Sequence, residues 1–161
     1  MYEFMAWLQG SPLGHAMRES GVWTYGFVNL VHILAIASLF GSVLVLDLRL
    51  LGAWNSIALP AVSRPAVPVA TAGFGVAATT GVCLLATKAT EYVGNPFLYI
   101  KFCAIGMGVL NVIALNRLPA WKQHRNRVLT PEEQQKLRVF GGLSLAAWLA
   151  AITAGRMIAY W

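Results

Sequence analysis

Charged residues are scarce in this sequence: Asp, Glu, Lys and Arg together make up only 11% of its 161 residues. Hydrophobic residues make up 58%, and the mean hydropathy is +0.62. This composition excludes an ordinary soluble domain, in which about 25% of residues are charged, and indicates an integral membrane protein. The net charge is +6, but most basic residues lie in one stretch, where membrane topology explains them, so no nucleic-acid partner is predicted.

Cysteines and catalytic motifs are also few. The two cysteines, Cys83 and Cys103, both fall inside predicted membrane spans, so a structural disulfide is not expected. The sequence has no Walker loop, HExxH pair, CxxC or CxxCH motif, or nucleophile elbow. Nothing therefore supports soluble-type hydrolysis or covalently attached haem c. Residues 1–21 lack the basic start and continuous apolar core of a signal peptide.

Four apolar runs are long enough to cross a bilayer, and they fill the chain as one domain. The predicted spans cover residues 22–46, 67–87, 97–118 and 139–161. Short helices are expected before the first span, at residues 2–9 and after Ser11-Pro12, and they lie at the membrane interface. Residues 52–66 are predicted to form a loop. The expected fold class is an all-α integral membrane four-helix bundle with short amino-terminal interfacial helices.

The basic residues predict the topology. The first and third connections hold eight of them, namely Arg49, Arg64, Arg117, Lys122, Arg125, Arg127, Lys136 and Arg138. The amino-terminal segment and the second connection hold only Arg18 and Lys88. The positive-inside rule then places both termini outside.

Small residues recur at helical spacing in two spans. The second span carries Gly73, Ala77 and Gly81, and the fourth carries Gly142, Ala146, Ala150 and Ala154. Such spacing lets helix backbones approach closely. Both faces are therefore predicted to lie at helix–helix contacts.

His32 is the ionisable residue in the middle of the first span, and such residues are by default hypotheses about function. Counted from the outer surface at 1.5 Å per residue, it lies roughly 13–15 Å deep. Asn29 precedes it by three residues and so shares its face. One interpretation is a neutral imidazole hydrogen-bonded to a neighbouring helix. The other is an axial ligand to haem iron, since imidazole is the commonest metal ligand and bundle cores hold cofactors.

Two further cations are expected in the same outer half of the membrane. Lys101 and Arg156 either extend separately to the interface or pair with the propionates of a haem held by His32. His15, outside the membrane core, is either an exposed histidine or a second axial ligand. A lysine ligand, Lys101, is a third option.

The inner side of the membrane carries further titratable residues. His124, within the basic connection, is predicted to be solvated. Asp47 and Arg49 are expected to form an ion pair that fixes helix register.

The run from Asn29 to Gly52 resembles the first span of a group of small, largely uncharacterised bacterial four-helix membrane proteins. The similarity rests on His32, Gly41 and the sequence Asp-Leu-Arg-Leu-Leu-Gly at 47–52, and it extends over nearly the whole chain. More loosely, a histidine in the first span and a lysine in the third resemble the CopD copper-resistance and HemJ-type protoporphyrinogen oxidase families. The HemJ resemblance implies a haem-binding four-helix bundle with His32 at the haem-ligand position and Lys101 at the family's lysine, although the aromatic-rich run after the first histidine is missing.

These observations lead to three functional hypotheses. The first is a b-type haem protein of the bacterial inner membrane, acting in electron transfer or as a subunit of a membrane redox complex with a periplasmic partner. The second is a cofactor-free structural or assembly subunit, whose small-residue faces bind partner helices or a second copy of the chain. The third is a CopD-like transport or metal-handling protein. The sequence leaves the redox partner, the substrate and the oligomeric state open.

Overall fold

The structure is a computed structural model that describes residues 1–161, and every regular element in it is helical. The helices are α1 (Tyr2–Gln9), α2 (Pro12–Glu19), α3 (Gly21–Leu51), α4 (Leu59–Thr87), α5 (Pro96–Arg117), α6 (Pro119–Gln123) and α7 (Pro131–Met157), with short 3₁₀ helices at Ala89–Tyr92 and Ile158–Tyr160. Four of them, α3, α4, α5 and α7, are long and apolar enough to cross a membrane. The predicted all-α class with four long apolar helices and short amino-terminal ones is confirmed.

The long helices bury few of their residues inside the chain. In the most hydrophobic 18-residue window of each one, only 17–39% of the residues are buried inside the chain. So much exposed apolar surface is unfavourable in water, whereas lipid tails solvate it. The chain is therefore a multi-pass membrane protein whose outward faces contact the bilayer.

Helix α4 begins earlier than predicted. Residues 59–66 form its first two turns instead of a loop. Pro60 lies in the first turn, where a backbone N–H has no helical partner in any case. Pro65 and Pro68 lie inside the helix, so the prediction of a loop over residues 52–66 is wrong for residues 59–66, whereas residues 52–58 are not helical. The start of α7 carries a complete capping box between Thr130 and Glu133 behind Pro131.

The chain divides into two compact units. The first comprises Met1–Leu39 and Thr71–Asn95. Within it, the Gln9 side chain links α1 to the 3₁₀ helix, because its Oε1 accepts hydrogen bonds from the Thr90 backbone N–H at 2.9 Å and hydroxyl at 2.8 Å. Helix α2 packs closely on the end of α4: a Cβ at Gly14 would lie 2.9 Å from the Ala86 carbonyl oxygen.

The second unit comprises Phe40–Ala70 and Pro96–Trp161. Its core contains Leu46, Leu50, Ala66, Leu115, Ala120, Trp121 and Leu137. Helices α5 and α7 pack together closely: a Cβ at Gly108 would lie 3.0 Å from the Trp148 ring. The Asn111 side chain donates a 3.0 Å hydrogen bond to the Phe140 carbonyl oxygen, a polar link of the kind that joins helices in membranes.

The small-residue face of α4 lies at a helix contact, as predicted. A Cβ at Gly73 would lie 2.8 Å from the Leu39 nitrogen and 2.9 Å from the Ala35 oxygen, so α3 and α4 touch backbone to backbone there. The prediction for α7 is wrong in part, because Ala146 is exposed. The buried face of α7 is instead Gly141, Ser144, Ala147, Trp148, Ala151 and Ala154.

Candidate functional site

The central feature of the candidate site is a hydrogen bond between α3 and α4. His32 Nδ1 lies 2.8 Å from Thr80 Oγ1. The Thr80 hydroxyl also donates to the Val76 carbonyl oxygen at 2.6 Å. A hydroxyl carries a single hydrogen. When that hydrogen points to Val76, Thr80 Oγ1 accepts the bond from His32 and the ring hydrogen lies on Nδ1.

Space for the imidazole is provided by Gly81. A Cβ at this position would lie 3.1 Å from His32 Cε1, closer than an ordinary van der Waals contact. The contact at Gly73 two turns earlier brings the two helices together. Helix α4 thus supplies both the acceptor and the surface against which the half-buried His32 ring packs.

The other predicted residues of the first unit lie outside this hydrogen bond. Asn29 is half-buried one turn before His32. His15 has an exposed side chain and lies 3.8 Å from the Glu19 carboxylate on its own helix. The structure therefore joins His15 to Glu19, and its predicted role as a second axial ligand stays a prediction.

Lys101 and Arg156 belong to the second unit. The Lys101 Nζ and Cε lie 3.5 Å from the position of a Cβ on Gly155, so its side chain lies along α7 beside the residue that precedes Arg156. Lys101 is half-buried and forms no ion pair. The exposed Arg156 donates a hydrogen bond to the Tyr160 hydroxyl, and its guanidinium lies 4.8 Å from the centre of that ring. Neither cation is paired with a protein carboxylate.

The expected ion pair between Asp47 and Arg49 is absent. Asp47 is 3% exposed and hydrogen-bonds the buried Ser144 of α7, while its Oδ2 has no hydrogen-bond partner. Arg49 donates instead to the Ile57 carbonyl oxygen and to Asn55. The two residues are two apart in a helix and so point in different directions, which explains why they do not pair.

The prediction of a solvated His124 is wrong. This residue is 5% exposed, and its ring stacks on Trp121 with the ring centres 4.4 Å apart. Its Nδ1 donates to the Trp121 carbonyl oxygen, and the fully buried Ser63 hydroxyl lies 2.8 Å from Nε2. Burial lowers the pKa of His124 below its usual value, and the nearby charge of Arg125 acts in the same direction, against the raising effect of the bond to Trp121.

Sequence reasoning found His32 and missed its partner. The hydroxyls of Thr79 and Thr80 bond back to their own helix, as their type predicts. Only the position of Thr80 beside the ladder glycine Gly81 signalled that it would also face α3. His124 lies in a basic connection, which predicted a solvated side chain. That prediction is wrong because α6 folds back and buries His124.

The site holds one imidazole in an apolar helix pair, with its Nδ1 hydrogen-bonded to Thr80. A histidine bound to a metal through Nε2 ordinarily donates its Nδ1–H to a second partner, and Thr80 lies where such a partner would. The residue types fit axial ligation of a haem iron, which needs one or two protein ligands. No group of three or more His, Cys, Asp or Glu side chains lies close enough to hold a metal ion.

Comparisons with known proteins identify the chain only by family. No curated protein and no solved structure matches it. One family model covers residues 4–161, and the protein therefore belongs to DUF6644, a family of unknown function.

Proposed function

We propose that this protein binds haem b through His32 and acts in electron transfer, on its own or as a subunit of a membrane redox complex. Its location would be the bacterial inner membrane, with both termini outside and a periplasmic redox partner. Haem b, when bound, supplies reversible one-electron chemistry at its iron.

The observation that carries the proposal is the 2.8 Å hydrogen bond between His32 Nδ1 and Thr80 Oγ1. A histidine that binds a metal through Nε2 needs such a partner for Nδ1. The same bond fixes the plane of the ring, and its acceptor raises the basicity of the imidazole. Gly81 leaves room for the ring against α4. His32 is thus preorganised as a ligand by the elements that pack around it.

The proposed roles of Lys101 and Arg156 are to bind the carboxylates of the propionates. Two facts support this assignment: each is a cation in an apolar helix, and neither is neutralised by a protein carboxylate. Arg156 offers a planar fork suited to a carboxylate. Asn29, one turn from His32, would contribute a polar contact to the haem.

The proposal is tested by the visible spectrum of the purified protein after expression with ample haem. We expect a Soret band in the wild-type protein and none in His32→Ala, because the axial ligand is lost. His15→Ala tests the predicted second ligand in the same way: because His32 remains, we expect this variant to keep a Soret band.

Arg156→Ala should retain the band but lose haem faster during washing, since only a propionate contact is removed. A wild-type protein that is colourless and stays so after addition of haem would contradict the proposal. His32 would then be a packing residue in a cofactor-free subunit, held by the same bond to Thr80.

A further inference from the structure

A second site of different character lies in the second unit. It is a cleft of about 520 Å³ between the end of α3, the connection to α4, the loop after α6 and the start of α7. Its lining includes four arginines and no acidic residue: Arg49, Arg125, Arg127 and Arg138. We call it the arginine cleft. It is separate from the His32–Thr80 pair, which belongs to the first unit.

Three of these arginines are not neutralised by the protein. Arg127 forms a two-pronged ion pair with Glu133, with one N–O distance of 2.8 Å. Arg49, Arg125 and Arg138 form no ion pair with any carboxylate. Like charges that share one cleft repel, and a cleft lined by one sign of charge concentrates counter-ions. The cleft therefore attracts an anion.

The Arg49 side chain is held in place before any ligand binds. Arg49 Nε donates to the Ile57 carbonyl oxygen at 2.8 Å, and its Nη1 lies 3.3 Å from Asn55 Oδ1. Gly52, with a φ of +115°, makes the turn that brings Asn55 back beside Arg49, a conformation that residues with a Cβ rarely adopt. Arg138 Nη2 lies against the same turn, 3.7 Å from the position of a Cβ on Gly52.

The lining also identifies the kind of anion. Guanidinium groups match the oxygens of a phosphate, and basic pockets between helix ends on the cytoplasmic side suit lipid headgroups. The wall beside the arginines is apolar, formed by Leu50, Leu59 and Leu137. We propose that the arginine cleft binds a phosphate group, and that its source is the headgroup of an anionic phospholipid whose glycerol and acyl carbons lie against these leucines.

Native mass spectrometry of the detergent-purified protein tests this proposal, with phosphatidylglycerol or phosphatidylcholine added in turn. We expect selective retention of phosphatidylglycerol. Each arginine near a headgroup contributes about 1 kcal/mol, so Arg125→Gln should weaken retention about fivefold, and Arg125→Gln with Arg138→Gln more. Arg117→Gln is the matched control, because Arg117 is an exposed arginine of the same region outside the cleft.

A second arm separates the two sources of phosphate. Inorganic phosphate and glycerol 3-phosphate are added at millimolar concentration in place of the lipid. Binding of these ions that depends on Arg125 would support a phosphate site but assign it to a soluble ligand, whereas lipid binding alone supports the headgroup. Equal retention of both lipids without phosphate binding, or an equal loss in Arg117→Gln, would overturn the proposal.

Discussion

At the residue scale, His32 and His124 each form a hydrogen bond through Nδ1, and their surroundings differ. His32 bonds a threonine hydroxyl in an apolar helix pair. His124 donates to a backbone carbonyl, and its Nε2 accepts from the fully buried Ser63. The first arrangement supports the proposed ligand role of His32, whereas the second ties α4 to the segment after α6.

The hydrogen bond to Thr80 makes a specific prediction for haem binding. Thr80→Val removes the acceptor of the Nδ1 hydrogen, and loss of such an outer partner typically weakens a metal site about 10–100-fold. We expect a loss of haem affinity in that range, measured by titration with hemin, and recovery in Thr80→Ser. Thr79→Val is the control, because that hydroxyl bonds only Gly75 of its own helix. If Thr80→Val and the wild-type protein bind hemin with equal affinity, the hydrogen bond to Thr80 does not contribute to haem binding.

The lowered pKa of His124 predicts a pH dependence of stability. A histidine has a pKa of about 6.5 when unfolded. Because burial lowers this pKa in the folded protein, protonation favours unfolding: stability is complete above pH about 6.5 and falls as the pH drops below it. We expect the thermal unfolding midpoint to decrease between pH 7.5 and 5, with a smaller decrease in His124→Gln. An identical decrease in both proteins would assign the effect to other groups.

At the element scale, the contact between α3 and α4 depends on the absence of a side chain at Gly73. Gly73→Ala would bring a Cβ within 3.0 Å of two backbone atoms of α3, and neither can rotate away. Such overpacking costs about 1–3 kcal/mol, which should lower the unfolding midpoint in detergent. Gly75→Ala is the control, since nothing lies within 4 Å of its added Cβ, and it should show no loss. If the two variants unfold alike, the close contact is not present in solution.

The sequence predicted the packed face of α4 but not that of α7. In α4 the row of Gly73, Ala77 and Gly81 that the sequence singled out is the one that packs on α3, while Gly75 and Ala78 lie exposed on other faces. In α7 paired residues such as Gly141 and Gly142 give two adjacent faces, and sequence spacing does not distinguish them. Contacts with α3 make the choice, because Gly141 lies against Leu50 and the Asp47 carbonyl oxygen. Ala146 lies on the exposed face. Ala146→Leu should therefore leave the thermal unfolding midpoint of the protein unchanged.

At the scale of the whole molecule, the spans were predictable because a bilayer requires long apolar segments with all backbone groups bonded internally. The partners of single polar side chains were less predictable, since they depend on which helix turns meet. Thr80 and Ser63 each hydrogen-bond a histidine that is distant in sequence. No local sequence pattern predicts such a partner. The position of His32 and the loose resemblance together supplied the haem hypothesis, and the structure adds the hydrogen bond between His32 and Thr80.

The topology stays a prediction of the charge distribution. Reporter fusions at the carboxyl terminus and in the connection at residues 120–130 measure it. We expect a periplasmic signal from the terminus and a cytoplasmic signal from the connection, because the basic residues stay inside. A strong cytoplasmic signal from the carboxyl terminus would reverse the orientation and place the proposed redox partner on the other side of the membrane.

The most direct measurement of the central claim is a titration of the purified apoprotein with hemin, followed at the Soret band. The wild-type protein is predicted to bind hemin saturably with one equivalent per chain, and His32→Ala, still folded by circular dichroism, is predicted to show no saturable binding. Uptake by neither protein, or equal uptake by both, would contradict the assignment of His32 as a haem ligand.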